Sequence, residues 1–293
     1  MTAIAGLDEV VLDALEHFIA TPVPAFRLPA ARRRLVVASG NALPTGRILF
    51  ADEPAAFASE GQYGAVLARE SDIDAAAVIS ASGTKHAPAL IRDLEARGLR
   101  PALVTCEPAS PAAALLPPER VVATTSRPEP ITYNTSTYMG MMLAKTGEDP
   151  RRIRQHIVEH VQALLPDFTK SQAFYVMVPP AFEAMTPMFV TKFDELFGGR
   201  VAGRCYTTEQ TLHAKTVVPW ERELFISLGC ENRDFGSARL AVPLPEGAGF
   251  ATMMAVGYYV IGRIQAALPP WFKEHAPAYA TLQRNLFAER EAR

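Results

Sequence analysis

The stretch Ala75-Ala76-Ala77-Val78-Ile79-Ser80-Ala81-Ser82-Gly83-Thr84-Lys85-His86-Ala87-Pro88 decides how the chain is read. Five apolar residues of strand character break into small hydroxylated residues around one glycine. Ala87, Leu90, Ile91 and Leu94 then recur at helical spacing. A strand that ends in Ser-x-Ser-Gly-Thr at a helix start gathers hydroxyls and unpaired backbone N–H groups at the positive end of the helix dipole. That setting suits a phosphate. It equally suits a turn in which Ser and Thr only cap the helix, and the residues by themselves leave both readings open.

Outward from this stretch the alternation of strand and helix continues. Toward the N-terminus, residues 34–38 read as a buried strand ending in Ser39-Gly40-Asn41. Gly40 and Asn41 resemble the start of a ligand loop and are candidate ligand contacts, although no Gly-x-Gly-x-x-Gly fingerprint is present. Residues 8–20 before it form an amphipathic pattern, joined by a connector with three prolines. Toward the C-terminus, strands are expected at 101–105 and 120–124, then a helix at 138–145 and a linking helix at 150–165. The order then recurs: strand 173–178, helix 181–197, strands 223–228 and 239–242, helix 250–267, and a tail helical from Tyr279. The prediction is an α/β protein of two parallel-sheet halves, residues 1–149 and 150–293. Only residues 229–237 separate the last two strands, too few for a crossover helix, so the second half is expected to be abbreviated.

Composition narrows the function classes. In 293 residues the net charge is −2, which gives no electrostatic case for nucleic acid or an anionic membrane. The run Arg32-Arg33-Arg34 reads as a solvated strand entry. Cys106, Cys205 and Cys230 are odd in number and far apart, which argues against a disulfide framework and fits a reducing cytoplasm. No basic-then-apolar leader and no run near the ~20 apolar residues of a membrane helix are seen, so the expected location is the cytoplasm. His156 and His160 are spaced i, i+4 but lack a further ligand, and read as a solvated helix face rather than a metal site. Trp271, Phe272 and Tyr279 in the tail read as interface or core.

Ala58-Ser59-Glu60, Ser80-Ala81-Ser82-Gly83-Thr84, Glu129 followed by Thr135-Ser136-Thr137-Tyr138, Lys192-Phe193-Asp194-Glu195 and His213 occur in one order along the chain. In that order they resemble the motifs of the double-SIS (sugar isomerase) family, over roughly residues 33–290. The likeness extends to bifunctional phosphoglucose/phosphomannose isomerases and to the isomerase domain of glucosamine-6-phosphate synthase. It implies two flavodoxin-like α/β sandwiches (tandem SIS subdomains), a homodimer with the site between subdomains or across the dimer, a sugar phosphate as ligand, and no cofactor or metal.

The resemblance also implies roles. Ser80, Ser82, Thr84 and Lys85 hold the phosphate; Glu129, Asn134, Thr135, Ser136 and Thr137 close the sugar pocket. Glu195 moves the proton between C1 and C2 through a cis-enediol, Lys192 stabilises the enediolate oxygen, and His213 opens the sugar ring at O5. Read without it, Lys192 and Glu195 are an i, i+3 surface pair worth ~0.5 kcal/mol or less, and His213 is a loop histidine. The chain departs from the family in three places. The phosphate loop is one residue short, which puts Lys85 where the family has threonine. His213-Ala214-Lys215 replaces His-Gly-Pro, two residues late. Gln283-Arg284-Asn285-Leu286 resembles the synthase tail, but Ala288 or Glu289 stands where that enzyme has a Schiff-base lysine. These departures keep two alternatives open: a non-catalytic phosphosugar-binding regulator, and an amino-sugar-phosphate deaminase or deglycase.

Overall fold

Every strand expected from the sequence forms, and each joins a parallel sheet. The computed structural model describes residues 4–214 and 217–291; Lys215 therefore lies outside the described residues, as do the side chains of Arg284, Leu286, Ala288 and Glu289. The first sheet contains β1 (Arg34–Val37), β2 (Ala55–Ala58), β3 (Ala75–Ile79), β4 (Arg100–Thr105) and β5 (Val121–Ala123), in the order β2-β1-β3-β4-β5. The second contains β6 (Ala173–Val178), β7 (Ala202–Thr207), β8 (Glu223–Leu228) and β9 (Ala238–Val242), in the order β7-β6-β8-β9. All neighbours within both sheets are parallel. The two α/β sandwiches are those expected, and the second is the shorter, with no helix between β8 and β9.

Two strands escaped the sequence reading, and both are edges. β2 and β7 each end a sheet: β2 is a short run of four residues directly after Asp52-Glu53-Pro54, and β7 breaks its apolar run with Gly203 and Arg204. The segment before His213, read as a loop, is β7 followed by α9 (Thr208–Ala214). Residues 43–57, left unassigned, form α2 (Ala42–Leu49) and β2. Two helix starts also move. The helix expected from Tyr138 is α5 (Thr135–Thr146), so the hydroxyls at 135–137 lie inside its first turn. The tail helix is α11 (Trp271–Glu291), beginning eight residues before Tyr279.

The helices between successive strands are α2, α3 (Tyr63–Arg69) and α4 (His86–Ala96) in the first half and α8 (Thr186–Phe197) and α9 in the second. Residues 150–164 run as one helix with a π segment at Ile157–Val161 between α6 (Pro150–His156) and α7 (Gln162–Leu164). Between the sheets lies α10 (Phe250–Ala267), buried from Ala251 to Gln265 except at Arg263. A helix apolar on all sides belongs in an interior, and α10 packs there on α1 (Leu7–Ala20), α5 and α8. One continuous core joins α1, the inner faces of both sheets, and these helices.

Arg34 corrects the reading of the basic run as solvated. Its side chain is buried, donates to the carbonyl of Pro29 at 2.8 Å, pairs with Glu53 and lies over Phe50. Arg33 pairs with Glu70 and Asp72. His156 is likewise buried rather than solvated, with Nε2 2.9 Å from the carbonyl oxygen of Pro243. Among the described residues no group of three or more His, Cys, Asp or Glu is placed to hold a metal ion, and no helix is long and apolar enough to cross a membrane. The three cysteines are free thiols.

The crossing of α1 and α10 is close because one residue has no side chain. A Cβ on Gly262 would stand 2.1 Å from the backbone nitrogen of Asp8. The approach lets Gln265 Oε1 accept from the Leu7 N–H at 2.9 Å and Arg263 pair with Asp8 at 3.3 Å. Gly262→Ala is expected to push α1 off α10 and lower unfolding stability by about 1–3 kcal/mol, read as a lower urea midpoint with an unchanged m-value.

Candidate functional site

The strand order places the first candidate loops. β1 connects toward β2 on one side and β3 leads to β4 on the other, so the order reverses between β1 and β3. Ligands of open parallel sheets bind beyond the carboxyl ends of the strands at such a point. Gly40 and Asn41 follow β1 and residues 80–85 follow β3. The loop is folded on itself: Ser80 Oγ accepts from the Gly83 N–H at 3.2 Å, and the Ser82 and Thr84 hydroxyls are 2.7 Å apart. Gly83 has φ +59°, and a Cβ there would meet Ser110 Oγ at 2.1 Å, so this position requires glycine twice over. Ser82 and Lys85 are exposed and Ser80 and Thr84 half-buried. Asn41 accepts through its carbonyl from the Thr45 hydroxyl at 2.8 Å.

A second group assembles where the first half meets α8 and α10. The loop 129–134 enters α5, and the Glu129 carboxylate accepts from the N–H groups of Thr135 and Ser136, both at 2.6 Å. The carboxylate thus fills the positive end of α5. Thr135 and Ser136 are fully buried, and Ser136 Oγ accepts from the Arg127 N–H at 2.9 Å. The Ser136 hydroxyl therefore shapes the loop and the buried Thr135 hydroxyl has no partner among the described residues, whereas Thr137 and the exposed Asn134 line a cavity. Thr132 has φ +75° and Asn134 φ +48°. For a β-branched residue such as Thr132 that is a strained backbone, a cost of about 1–3 kcal/mol.

The strain aims the Thr132 carbonyl at Lys192. Lys192 is wholly buried on α8; its Nζ donates to Thr132 O at 2.7 Å and to Glu195, and lies 5.3 Å from the centre of the Tyr258 ring on α10. The pair is therefore no surface salt bridge. Burial pulls the Lys192 ammonium below its ordinary pKa, opposed first by the Glu195 charge. Burial pushes the Glu195 carboxyl above the usual carboxylate range, opposed first by Lys192. The same burial, and then the Glu195 charge, pushes the phenols of Tyr138 and Tyr258 upward, so both stay protonated donors. Tyr258 Oη has no partner among the described residues.

Glu195 opens into two adjoining cavities. One, about 460 Å³, is polar, with Ser126, Glu129, Asn134 and Thr137 in its wall. The other, about 620 Å³, is walled by Leu196, Phe197, Trp271 and Phe272. Residues 80–85 line neither. They are linked to the site through Cys106, whose N–H donates to Ala81 O at 2.8 Å and whose Sγ sits 3.9 Å from Thr137 O. His213 lies elsewhere in the chain, exposed on α9 in a separate surface cavity with Tyr206 and Leu212.

Of the residues singled out in the sequence, the structure joins Glu129, Asn134, Thr137, Lys192 and Glu195 in one neighbourhood. It sets the Ser80 loop one strand away, and His213 apart. Sequence reasoning missed the Thr132 carbonyl, Ser126 and the phenols of Tyr138 and Tyr258. No local signal singled any of them out: even Tyr258, in the middle of the largely apolar α10, stands beside an equally polar-tipped Tyr259. Lys192→Met is expected to destabilise the fold by up to about 3 kcal/mol near neutral pH, by stripping the half-buried Glu195 carboxylate of its partner. The lone Glu195 then binds a proton more readily folded than unfolded. The deficit should therefore shrink as pH falls through its raised pKa, measured by urea titrations at a series of pH values.

No protein-family model matches the chain, and no curated protein matches it in sequence. Its fold is nevertheless shared with solved structures. Glucosamine-6-phosphate deaminase from Thermotoga maritima superposes with a TM-score of 0.59 at 16% identity, covering 89% of this chain and 91% of that one. Tagatose-6-phosphate ketose/aldose isomerase from Escherichia coli gives 0.56 at 12% identity, covering 91% and 89%. The C-terminal domain of glucosamine-fructose-6-phosphate aminotransferase from Francisella tularensis gives 0.55 at 10% identity, covering 89% and 95%. The two parallel α/β sandwiches of this chain are the fold of phosphosugar isomerases and their structural relatives.

Proposed function

We propose that the chain is a sugar-phosphate isomerase that interconverts an aldose and a ketose 6-phosphate through a cis-enediol. The observation that carries this reading is the buried Lys192–Glu195 pair at a polar cavity shared with Glu129 and Thr137. The shared fold supports it, since a site on this fold is where a phosphosugar would be sought. In the proposed reaction the Glu195 carboxylate takes the proton from C2 of the open-chain aldose. The C–H electron pair becomes the C1–C2 double bond, and the C1 carbonyl pair moves onto oxygen, which gains a proton. Collapse of the enediol from the C2 hydroxyl, with the proton returned to C1, gives the ketose. Lys192 holds the carboxylate in place and offsets charge developing on the oxygens. The switch-point residues Gly40, Asn41, Ser80, Ser82, Thr84 and Lys85 receive the phosphate.

His213 completes this scheme only from a second copy. Tyr206 and Leu212 are exposed apolar side chains in the cavity that His213 lines, and such a patch suits an interface between copies. Mixing Glu195→Gln with His213→Ala protein should then restore activity that neither variant has alone; no restoration counts against a shared site. The second reading, a phosphosugar-binding regulator, is favoured by the separation of His213 from Glu195 within the chain. A thermal-shift screen that finds stabilisation by a sugar phosphate without turnover would select it.

The catalytic reading is tested by incubating the protein with hexose 6-phosphates in deuterated water. Deuterium should enter C2 of one of them, and Glu195→Gln should slow entry by about 10²–10⁴-fold. Absence of exchange, or exchange unchanged in the variant, contradicts the mechanism. The base works as a carboxylate, and its pKa is raised. Activity should therefore climb with pH through a limb lying above the usual carboxylate range, read from kcat/KM.

A further inference from the structure

The isomerisation proposed above leaves one proton without a carrier. Glu195 moves the hydrogen between C2 and C1, but the oxygen on C1 must gain a proton and the hydroxyl on C2 must lose one. A single group that gives to the first oxygen and takes from the second closes the cycle. Such a group has to face the cavities that meet at Glu195 and exchange protons readily near neutral pH.

The walls of those cavities narrow the choice to one side chain. Lys192 is wholly buried and lines neither cavity, and its Nζ is committed to Thr132 O and Glu195. The Glu129 carboxylate is occupied by the N–H groups at the start of α5. Arg127 and Arg200 also line the walls, but a guanidinium keeps its protons. The remaining ionisable side chains are Asp194, Tyr279 and His275. Of these three types, the imidazole is the one suited to both giving and taking a proton near neutral pH.

His275 is also the one whose ring is oriented for the task. Trp271, Phe272, His275, Ala276 and Tyr279 line the cavity of about 620 Å³ from one face of α11. That face is anchored by its neighbours. Phe272 stacks on Tyr133 at 4.9 Å, the Tyr133 hydroxyl accepts from Gln265 Nε2 at 3.0 Å, and the Arg200 guanidinium lies 5.3 Å from the centre of the Trp271 ring. One turn along from Trp271, His275 Nδ1 lies 2.8 Å from the Trp271 carbonyl oxygen. A carbonyl only accepts, so Nδ1 carries a hydrogen and Nε2 is the nitrogen left to exchange protons.

We infer that His275 is a catalytic residue, carrying the proton between the oxygens on C1 and C2 from α11 while Glu195 acts on the carbons from α8. This inference rests on the isomerase reading above. As Glu195 takes the C2 hydrogen, the C–H pair forms the C1–C2 double bond and the C1 carbonyl pair moves onto its oxygen. The Nε2–H of the protonated ring gives that oxygen its proton. The neutral Nε2 then takes the proton of the C2 hydroxyl, whose O–H pair forms the C2 carbonyl, and the C1–C2 pair accepts the proton held by Glu195 at C1. Both side chains end as they began. Ring opening at O5 is a separate and earlier step.

The test uses the full chain and the hexose 6-phosphate that takes up deuterium at C2. His275→Ala should lower kcat by about 10²–10⁴-fold with KM unchanged, and free imidazole should restore part of the loss. Two probes made from the same sugar separate catalysis from shape: its hexitol 6-phosphate, which has no carbonyl, and the 5-phosphopentonohydroxamate that copies the enediolate. By calorimetry, His275→Ala should weaken binding of the hydroxamate about tenfold or more and leave the hexitol phosphate unchanged. Should His275→Ala fail to fold, His275→Leu keeps a good helix former at the position and should show the same losses. An unchanged kcat overturns the inference and leaves the isomerase reading standing. An equal loss of affinity for both probes does the same, because it assigns His275 to the shape of the cavity. Deuterium entering none of the hexose 6-phosphates overturns the isomerase reading itself, and the inference with it.

Discussion

One ammonium group without access to water sets the terms for the region between the two sheets. Lys192 is held by a carboxylate on its own helix, a carbonyl from the 129–134 loop and the face of Tyr258 on α10. Taking such a charge out of water costs several kcal/mol, and the cost is met only when geometry and hydrogen bonding are good. That requirement accounts for the backbone of Thr132, whose positive φ would otherwise be an unexplained strain. It also makes the loop of one half and the helices of the other a single unit, because the charge is satisfied only when all three segments are in place.

Acidic side chains at helix starts reinforce the same junction. Glu129 caps α5 from the loop before it, and Glu148, at the end of the first half, accepts from the N–H groups of Gly249, Ala251 and Thr252 at the start of α10. A third cross-connection runs from Ala5 and Leu7 through Gln265 to Tyr133. Apolar packing alone tolerates sliding, whereas hydrogen bonds of this kind define a register. The register matters because the switch-point loops belong to the first half and Glu195 to the second, so their separation is only as constant as the junction.

The central strands and the largely apolar α10 were legible in the sequence because burial on nearly every side writes a long apolar run. Two of the four edges, β5 and β9, were read as well; the other two were not, since Ala55-Ala56-Phe57-Ala58 is short and follows Asp52-Glu53-Pro54, and Ala202-Gly203-Arg204-Cys205-Tyr206-Thr207 is broken by Gly203 and Arg204. The site was legible in part. Lys192 and Glu195 share a helix, and their i, i+3 spacing brings them together whatever the fold. Whether such a pair is exposed or buried is decided by Thr132 and Tyr258, which lie 60 residues before and 66 after Lys192, and no local pattern carries that information. The hydroxyls at 135–137 were misplaced for a related reason. Glu129, six residues upstream, supplies the helix cap, which frees the helix to start earlier and turns two of the three hydroxyls inward.

The two halves repeat a topology but not a burden. Both faces of the first sheet are covered, its outer face by the cluster around Leu35, Val78, Ile91 and Leu94, so its strand ends are rigid supports for the loops after β1 and β3. On the outer face of the second sheet the buried cluster among the described residues is Tyr175, Met177 and Phe225, with Tyr175 stacked on Phe225 at 4.7 Å and Arg204 over the Tyr175 ring. A link of nine residues between β8 and β9 holds no helix, and the cover on this face is the short α9, whose buried Thr211 accepts from the Tyr175 hydroxyl at 3.3 Å. The second half therefore draws its stability from the other side, from α10 and the junction with the first half, and Lys192 and Glu195 sit on that supported side. The pair proposed above as catalytic would, on the thin outer face, ride on the least covered part of the molecule. Placed at the junction, its geometry is fixed by the same contacts that hold the halves together, which is the arrangement a carboxylate with a single productive orientation requires.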